Sequence, residues 1–99
     1  MDGEVRNNEG EQRYELEVDG EIAVAEYRLR PGRITFTHTK VPEALEGRGI
    51  GTRLVKAVLD DARAQGLRVV PTCPFVKHYI DTHPEYGDLL DDPAVKMRT

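Results

Sequence analysis

The first third of the chain alternates apolar and charged residues in a way that predicts β-strands. Three apolar residues alternate with charged ones at Tyr14, Leu16 and Val18, which is the pattern of a strand with one buried face. The pair Asp19-Gly20 follows, and this pair is preferred in two-residue hairpin turns. The return strand, from Glu21 to Leu29, has apolar residues at both odd- and even-numbered positions, and therefore on both faces. We expect it to be covered on both sides.

A third strand is predicted after the turn at Pro31-Gly32. It runs from Arg33 to Val41 and alternates throughout. Its two faces carry Ile34, Phe36 and His38 on one side and Thr35, Thr37 and Thr39 on the other. This alternation predicts that His38 shares the buried face of the strand.

Helical spacing replaces the alternation in the middle of the chain. The recurring apolar positions are Ile50, Leu54, Val58 and Ala62, and they predict a helix to about Gln65. Gly66 then suits the left-handed residue that ends a helix. The short apolar segment from Leu67 to Thr72 comes after this helical crossover, so it should lie parallel to the third strand in a right-handed β-α-β unit.

Prolines bound a second helix, which should begin at Pro74 and end before Pro84. A short helix is further expected around Asp88–Leu90. Residues 1–10 are polar without periodicity and are predicted to be a mobile leader. The expected organisation is therefore a leader over 1–10, one domain over 11–93 and a tail over 94–99. Its fold class is α/β (α+β), a mixed sheet of about four strands (antiparallel meander, then β-α-β) with two or three helices.

Composition narrows the class of protein. A chain of 99 residues makes a single domain, and no apolar run approaches the roughly 20 residues that span a bilayer. The acidic start is unlike a signal peptide, and one cysteine excludes an internal disulfide. We therefore expect a cytoplasmic protein. The net charge of −4 argues against a broad nucleic-acid surface.

The segment Glu46-Gly47-Arg48-Gly49-Ile50-Gly51-Thr52 stands directly before the first helix. Alternate glycines let a ligand approach the backbone closely, and a helix start offers unpaired N–H groups and the positive dipole end to a phosphate. The spacing fits neither a Walker A loop nor the dinucleotide Gly-x-Gly-x-x-Gly pattern. A tight strand-to-helix turn without a ligand is the alternative interpretation.

This loop resembles the pyrophosphate loop of the GCN5-related N-acetyltransferases (the GNAT superfamily), Gln/Arg-x-x-Gly-x-Gly/Ala. Gly49 and Gly51 take the two small positions, whereas Glu46 replaces the usual Gln or Arg. The run Val41–Leu54 resembles that family's strand, loop and helix, and Pro74–Tyr79 is similar to its later helix. The likeness spans roughly Thr35 to Tyr86 and is greatest to the small, stand-alone, YjdJ-type branch.

The resemblance implies acetyl-CoA (CoA) as co-substrate, and it implies where this co-substrate binds. The expected contacts are Val41, through its backbone, with Gly47, Arg48, Gly49, Ile50, Gly51, Thr52 and Cys73. The family's early helices and last hairpin have no counterpart in the pattern, so the acceptor groove should be open.

Three residues are candidates for catalysis: Tyr79, His38 and Cys73. In similar enzymes a tyrosine at the position of Tyr79 protonates the departing thiolate, although core packing is an equal alternative. Cys73 precedes Pro74 as a helix N-cap, where a thiolate is stabilised; it either accepts the acetyl group or lines the channel, and lining is the preferred interpretation. His38 could take the proton of the amine, although a structural histidine on the apolar face is the preferred interpretation. Glu43 is the competing base and ranks below His38, because it could equally be a surface residue.

No metal site is predicted. His78 and His83 with the single Cys73 lack paired ligand spacing, and zinc needs about four ligands. His83 is assigned to the turn that ends the second helix.

The sequence thus predicts an acetyl-CoA-dependent N-acetyltransferase that transfers acetyl directly from the thioester to an amine. The acceptor is expected to be a protein, a peptide or a small polyamine-like molecule, and the enzyme to be a monomer without nucleic-acid or membrane partners. The alternative is a non-catalytic module that binds CoA or acyl-CoA. A nucleotide-binding protein is less favoured, because the Lys and Ser/Thr of a P-loop are absent.

Overall fold

The computed structural model describes residues 4–90, which form one mixed five-stranded sheet with helices packed on it. The strands are β1 (Arg6–Asn8), β2 (Arg13–Val18), β3 (Glu21–Arg30), β4 (Arg33–Lys40) and β5 (Arg68–Pro71), and the α-helices are α1 (Ile50–Ala64) and α2 (Pro74–Thr82). Three short 3-10 helices span Glu9–Glu11, Glu43–Leu45 and Pro84–Leu89. The strand order is β1-β2-β3-β4-β5, and only β4 and β5 run parallel. The predicted fold class is confirmed, with five strands instead of about four.

The extra strand, β1, lies in the segment predicted to be a mobile leader, and for this part that prediction is wrong. β1 pairs antiparallel with β2. Polar side-chain contacts support this pairing, so the sequence of β1 shows no hydrophobic periodicity. Glu15 accepts hydrogen bonds from Arg6 at 3.2 Å and Asn8 at 3.1 Å, and the Tyr27 hydroxyl donates to Asn7 at 2.7 Å. The predicted tail over 94–99 lies outside the described residues.

The β2–β3 hairpin follows the prediction. Asp19 and Gly20 have φ values of 51° and 81°, as a turn with two left-handed central residues requires. The prediction that β3 is covered on both faces is wrong at Ile22, which is exposed, although Val24 is buried. Ile22 lies opposite Glu17 and is not part of the hydrophobic core to which α1 and α2 contribute.

A β-bulge in β4 overturns the predicted placement of His38. Tyr27 is opposite Phe36, but Glu26 is opposite His38, so Thr37 is an extra residue without a partner in β3. The bulge shifts the alternation by one position. Ile34 and Phe36 are in the core, whereas His38 turns to the opposite face beside Glu26.

The β-α-β unit agrees with the prediction. α1 buries the apolar side identified from its helical spacing, and Gly66 follows its end with φ of 72°. β5 pairs parallel with β4, with Ile34 opposite Val69. The sheet and its single core thereby place the start of α1 and the start of α2 at the same edge, beyond the carboxyl ends of β4 and β5.

α2 ends at Thr82, and Pro84 begins the 3-10 helix Pro84–Leu89 in place of the short helix expected at Asp88–Leu90. Polar contacts attach this 3-10 helix to α1. Tyr86 donates a hydrogen bond of 2.6 Å to Asp60, and Arg63 forms an ion pair with Asp88 at 2.8 Å. Among residues 4–90, every helix is too short or too polar to span a bilayer.

Candidate functional site

A cleft opens where β4 and β5 stop pairing. Their parallel ladder ends at Phe36 and Pro71, and the backbone N–H of Cys73 then donates to the Phe36 carbonyl at 2.9 Å. Within residues 4–90, no strand pairs with the β5 side of Thr37–Lys40. Two cavities, of about 700 Å³ and about 460 Å³, lie in this opening and share Thr39, Thr52 and Phe75. They form the two ends of one cleft.

The smaller cavity is lined by the glycine loop. Its lining residues are Thr39, Val41, Leu45, Glu46, Gly47, Gly49, Ile50, Gly51, Thr52 and Phe75. Gly47 and Gly49 have φ of 80° and 73°, which L side chains rarely adopt. Gly49 is also the N-cap of α1, and no side chain caps this helix. The first-turn N–H groups thus remain available to an anion.

Gly51 serves a different purpose from the other two glycines. It is helical, and a Cβ built on it would lie 2.8 Å from Cζ of Phe75 and 3.3 Å from Cγ2 of Val41. The third glycine is therefore needed for the Phe75 ring to pack on the first turn of α1. Phe75 itself is 42% exposed, and it lines both cavities.

The charged residues of the loop point in different directions. Arg48, a predicted cofactor contact, lines neither cavity and instead forms a 2.8 Å ion pair with Asp19. This ion pair holds the pKa of Asp19 below its usual value. Glu46 is exposed but lines the smaller cavity. Lys56 pairs with Asp60 at 2.9 Å, as its i,i+4 spacing predicts.

Cys73 lies at the N-cap of α2, in the larger cavity, as the sequence indicates. Its residue is 3% exposed. Its Sγ is 3.4 Å from the Thr39 hydroxyl, with either atom able to donate. The bulge at Thr37 is what turns Thr39 towards this thiol. Cys73 is therefore a buried wall of the cleft with a polar partner from β4.

Tyr79 lines the same cavity from the next turn of α2. Burial is the main cause that raises the pKa of its phenol, so this phenol is protonated at neutral pH. The hydroxyl is not completely enclosed and makes no hydrogen bond to any residue of the described chain. A protonated hydroxyl on a residue that lines the cleft, without a partner among residues 4–90, has the properties of a proton donor to a ligand.

The two predicted bases are placed less favourably. The His38 side chain is 67% exposed at the edge of the cavity, and its Nδ1 lies 3.7 Å from Oε1 of Glu26, beyond hydrogen-bond distance. Glu43 is exposed in the 3-10 helix Glu43–Leu45 and lines neither cavity.

Sequence reasoning missed two further histidines. His78 and His83 also line the larger cavity, so all three histidines of the chain border it. The signal was the i,i+4 spacing of Tyr79 and His83, which places both rings on one side of the helix. No group of three or more potential ligands within residues 4–90 is arranged to hold a metal ion.

Comparison with known proteins identifies the family. The sequence model described as "GCN5-related N-acetyl-transferase" matches residues 13–89. The chain belongs to this family. Membership supports acetyl transfer in general, and the matched residues include the glycine loop, β4, β5 and α2.

Individual relatives agree with this assignment. A GCN5-like protein from Staphylococcus aureus, solved by NMR, superposes with a TM-score of 0.68 at 31% identity, covering 88% of this chain and 86% of that one. Protein NATD1 from Gallus gallus and from Mus musculus is 37% identical over 51 residues, or 52% of this chain. The matched part spans 46% of either NATD1 protein, less than half of its length.

Proposed function

We propose that this protein is an acetyl-CoA-dependent N-acetyltransferase that transfers the acetyl group directly to an amine. The observation that carries the proposal is the continuity of the cleft. One end is the glycine loop at the start of α1, and the other end is lined by Cys73 and by Tyr79, whose hydroxyl makes no hydrogen bond within residues 4–90. The ends share three lining residues, so a single elongated ligand with a phosphate group and a thioester fits both.

The residues of the loop fit a pyrophosphate. Gly47 and Gly49 provide backbone without side chains, and the uncapped start of α1 provides N–H groups and a positive dipole end. Ile50 and Thr52 complete the wall of this cavity, and Val41, which directly follows β4, lines it as well. Arg48 would neutralise charge only if its contact with Asp19 opened.

The chemistry needs an acid for the leaving thiolate. As the C–N bond forms and the C–S bond breaks, Tyr79 donates its hydroxyl proton to the sulfur of CoA. Cys73 borders the thioester without forming a covalent intermediate, because its thiol is buried and in contact with Thr39. The amine loses a proton as the C–N bond forms and leaves as an amide. This proton replaces the one that Tyr79 gave up, and CoA leaves as a thiol.

The acceptor is proposed to be a protein, a peptide or a polyamine-like amine. The larger cavity opens to solvent, and the net charge of −4 favours a cationic partner. We further propose that the protein acts as a monomer in the cytoplasm. The competing function is a module that binds CoA without turnover, and it differs in lacking any acceptor.

Release of free thiol from acetyl-CoA with a panel of amines tests turnover. Tyr79→Phe should lower the rate by about 10²–10⁴-fold with little change in CoA affinity. Tyr27→Phe is the matched control, because it removes a hydroxyl that bonds only within the sheet. If CoA binds but no amine causes release of thiol from acetyl-CoA, the result would favour the binding module and refute the enzyme.

CoA binding is measured separately by stabilisation. CoA at 100 times its dissociation constant should add about 2.7 kcal/mol to the free energy of unfolding, and Gly49→Val should abolish this gain. Gly66→Val is the control, because both glycines have positive φ and open space at Cβ, and only Gly49 is in the cleft. Equal stabilisation of wild type and Gly49→Val by CoA would refute the pyrophosphate site. A larger stabilisation by ATP than by CoA would favour a nucleotide as the ligand.

A further inference from the structure

The three histidines in the larger cavity differ in how firmly their rings are held. Transfer to an amine needs a base, and a base held in place before the reaction is more effective than a mobile one. His38 is mostly exposed and has no hydrogen bond through its ring within residues 4–90, and His78 is exposed as well. His83 is half-buried, and two separate contacts fix its ring.

The first contact is with the Tyr79 ring. The two ring centroids lie 3.9 Å apart with planes 8° from parallel. The Tyr79 ring in turn packs against Tyr86, at 5.8 Å between centroids. The His83 ring is thereby held in direct stacking contact with Tyr79, the residue that we propose as the acid.

The second contact fixes which ring nitrogen carries the proton. Nδ1 of His83 lies 2.8 Å from the carbonyl oxygen of Tyr79, and a carbonyl can only accept, so Nδ1 is the protonated nitrogen. The Thr82 hydroxyl, 3.1 Å from Nδ1, has carbonyl acceptors of its own at His78 and Tyr79. In the neutral imidazole Nε2 therefore keeps a free lone pair, and it has no hydrogen-bond partner within the described chain.

We propose that Nε2 of His83 is the general base of the reaction, in place of His38 or Glu43. The assignment rests on the proposed function. The amine nitrogen forms a bond to the acetyl carbon and loses a proton to Nε2, while the C–S bond breaks and the thiolate takes the Tyr79 proton. His83 then releases its proton to solvent, which restores the Tyr79 hydroxyl, so neither residue is consumed.

The surroundings of His83 contain other titratable groups that affect a pH profile. They line the cavity or act on the Tyr79 ring: Cys73, His78 and Tyr79 itself, His38 of β4, Lys56 and Asp60 of α1, and Glu85 and Tyr86 of the 3-10 helix. The acid limb of the pH profile is the fall in kcat/KM at low pH. Matched variants are therefore needed to show whether His83 causes this limb.

The test compares kcat/KM against pH for wild type, His83→Asn, His38→Asn and His78→Asn. Asparagine places an amide N–H near the position of Nδ1, so His83→Asn keeps a donor for the Tyr79 carbonyl and removes the base. We expect a loss of about 10²–10⁴-fold, disappearance of the acid limb and unchanged CoA binding. Imidazole in the buffer should restore part of the rate, and His38→Asn and His78→Asn should keep the limb.

His83→Phe separates a base from a structural ring, because phenylalanine keeps the stacking on Tyr79. A merely structural His83 would leave His83→Phe active, and this result would overturn the proposal. Persistence of the acid limb in His83→Asn, or its loss in His38→Asn instead, would overturn it too. Failure of the wild type to release thiol with every amine refutes the proposed function itself, whereas an active wild type with an unaffected His83→Asn refutes only the assignment of the base.

Discussion

Replacement of Gly51 by alanine should have opposite effects on stability, depending on Phe75. Gly51 is helical, so alanine would gain up to about 1 kcal/mol from helix propensity. In the wild type, however, the new Cβ would lie 2.8 Å from Cζ and 3.2 Å from Cε2 of Phe75. The ring would have to leave its place, and overpacking of this kind costs about 1–3 kcal/mol. We expect Gly51→Ala to destabilise the wild type by about 1 kcal/mol.

The same substitution in a Phe75→Ala background removes that obstacle. Only Cγ2 of Val41, at 3.3 Å, remains close, and a shift of a few tenths of an ångström relieves this contact. Gly51→Ala should then stabilise by up to about 1 kcal/mol, which makes the coupling energy between the two positions about 2 kcal/mol.

Urea unfolding of the four proteins in this cycle, followed by circular dichroism, measures the coupling directly. Thr52→Ala is the control, because it changes helix propensity at the next position without adding an atom. An equal effect of Gly51→Ala in both backgrounds would refute the reasoning that Phe75 requires this glycine.

Three further outcomes concern Glu46 and Cys73 of the site and Glu15 of the sheet. Glu46→Gln should tighten CoA binding two- to fivefold at low salt, from about 0.5–1 kcal/mol of removed repulsion; calorimetry should show the gain fade at high salt, and a salt-independent gain would contradict this. Hydrogen bonds from Arg13, then Asn8, lower the pKa of Glu15, so its stabilisation is present above about pH 4.3 and is lost as pH falls through the lowered pKa. The stability difference between wild type and Glu15→Gln should shrink on acidification in urea titrations, and a constant difference would oppose this view. Cys73→Ala should retain partial activity, and intact mass of the wild type with acetyl-CoA alone should show no acetyl-enzyme; a stable adduct that is lost in an inactive Cys73→Ala would make Cys73 the nucleophile.

Local patterns were sufficient for the part of the fold that places the site. Asp19-Gly20 supplies the two left-handed residues of the hairpin, and helical spacing with Gly66 defines α1. A helical crossover of this length favours a parallel return, so the pairing of β5 with β4 also followed from the sequence.

Non-local contacts account for the parts that were missed. β1 is held by the contacts of Arg6 and Asn8 with Glu15 and by Tyr27 with Asn7. Such polar contacts create no hydrophobic period, so they are invisible in a single sequence. The bulge at Thr37 is equally hidden, because the run Thr-His-Thr tolerates either face of a sheet, and one extra residue reverses every later position.

The candidate site was predictable where a motif is contiguous, and it was not where the motif depends on packing. The glycine loop, Cys73 and Tyr79 all line the cleft. The requirement for glycine at position 51 depends on Phe75, which lies on another helix, so the sequence alone does not explain it. The role of His83 depends on which nitrogen bonds the carbonyl of Tyr79, and this is set by the geometry at the end of α2.

The most direct test of the account is a two-dimensional NMR titration of the ¹⁵N-labelled protein with CoA. The account predicts shifts of the backbone amides over residues 47–52 of the loop and the first turn of α1, over residues 37–41 at the end of β4, and at Cys73. Amides of β1 and of the 3-10 helix Pro84–Leu89, which lie outside the glycine-loop cavity, should stay in place. No shifts at millimolar CoA, or shifts confined to residues outside the cleft, would contradict the claim that this cleft binds CoA.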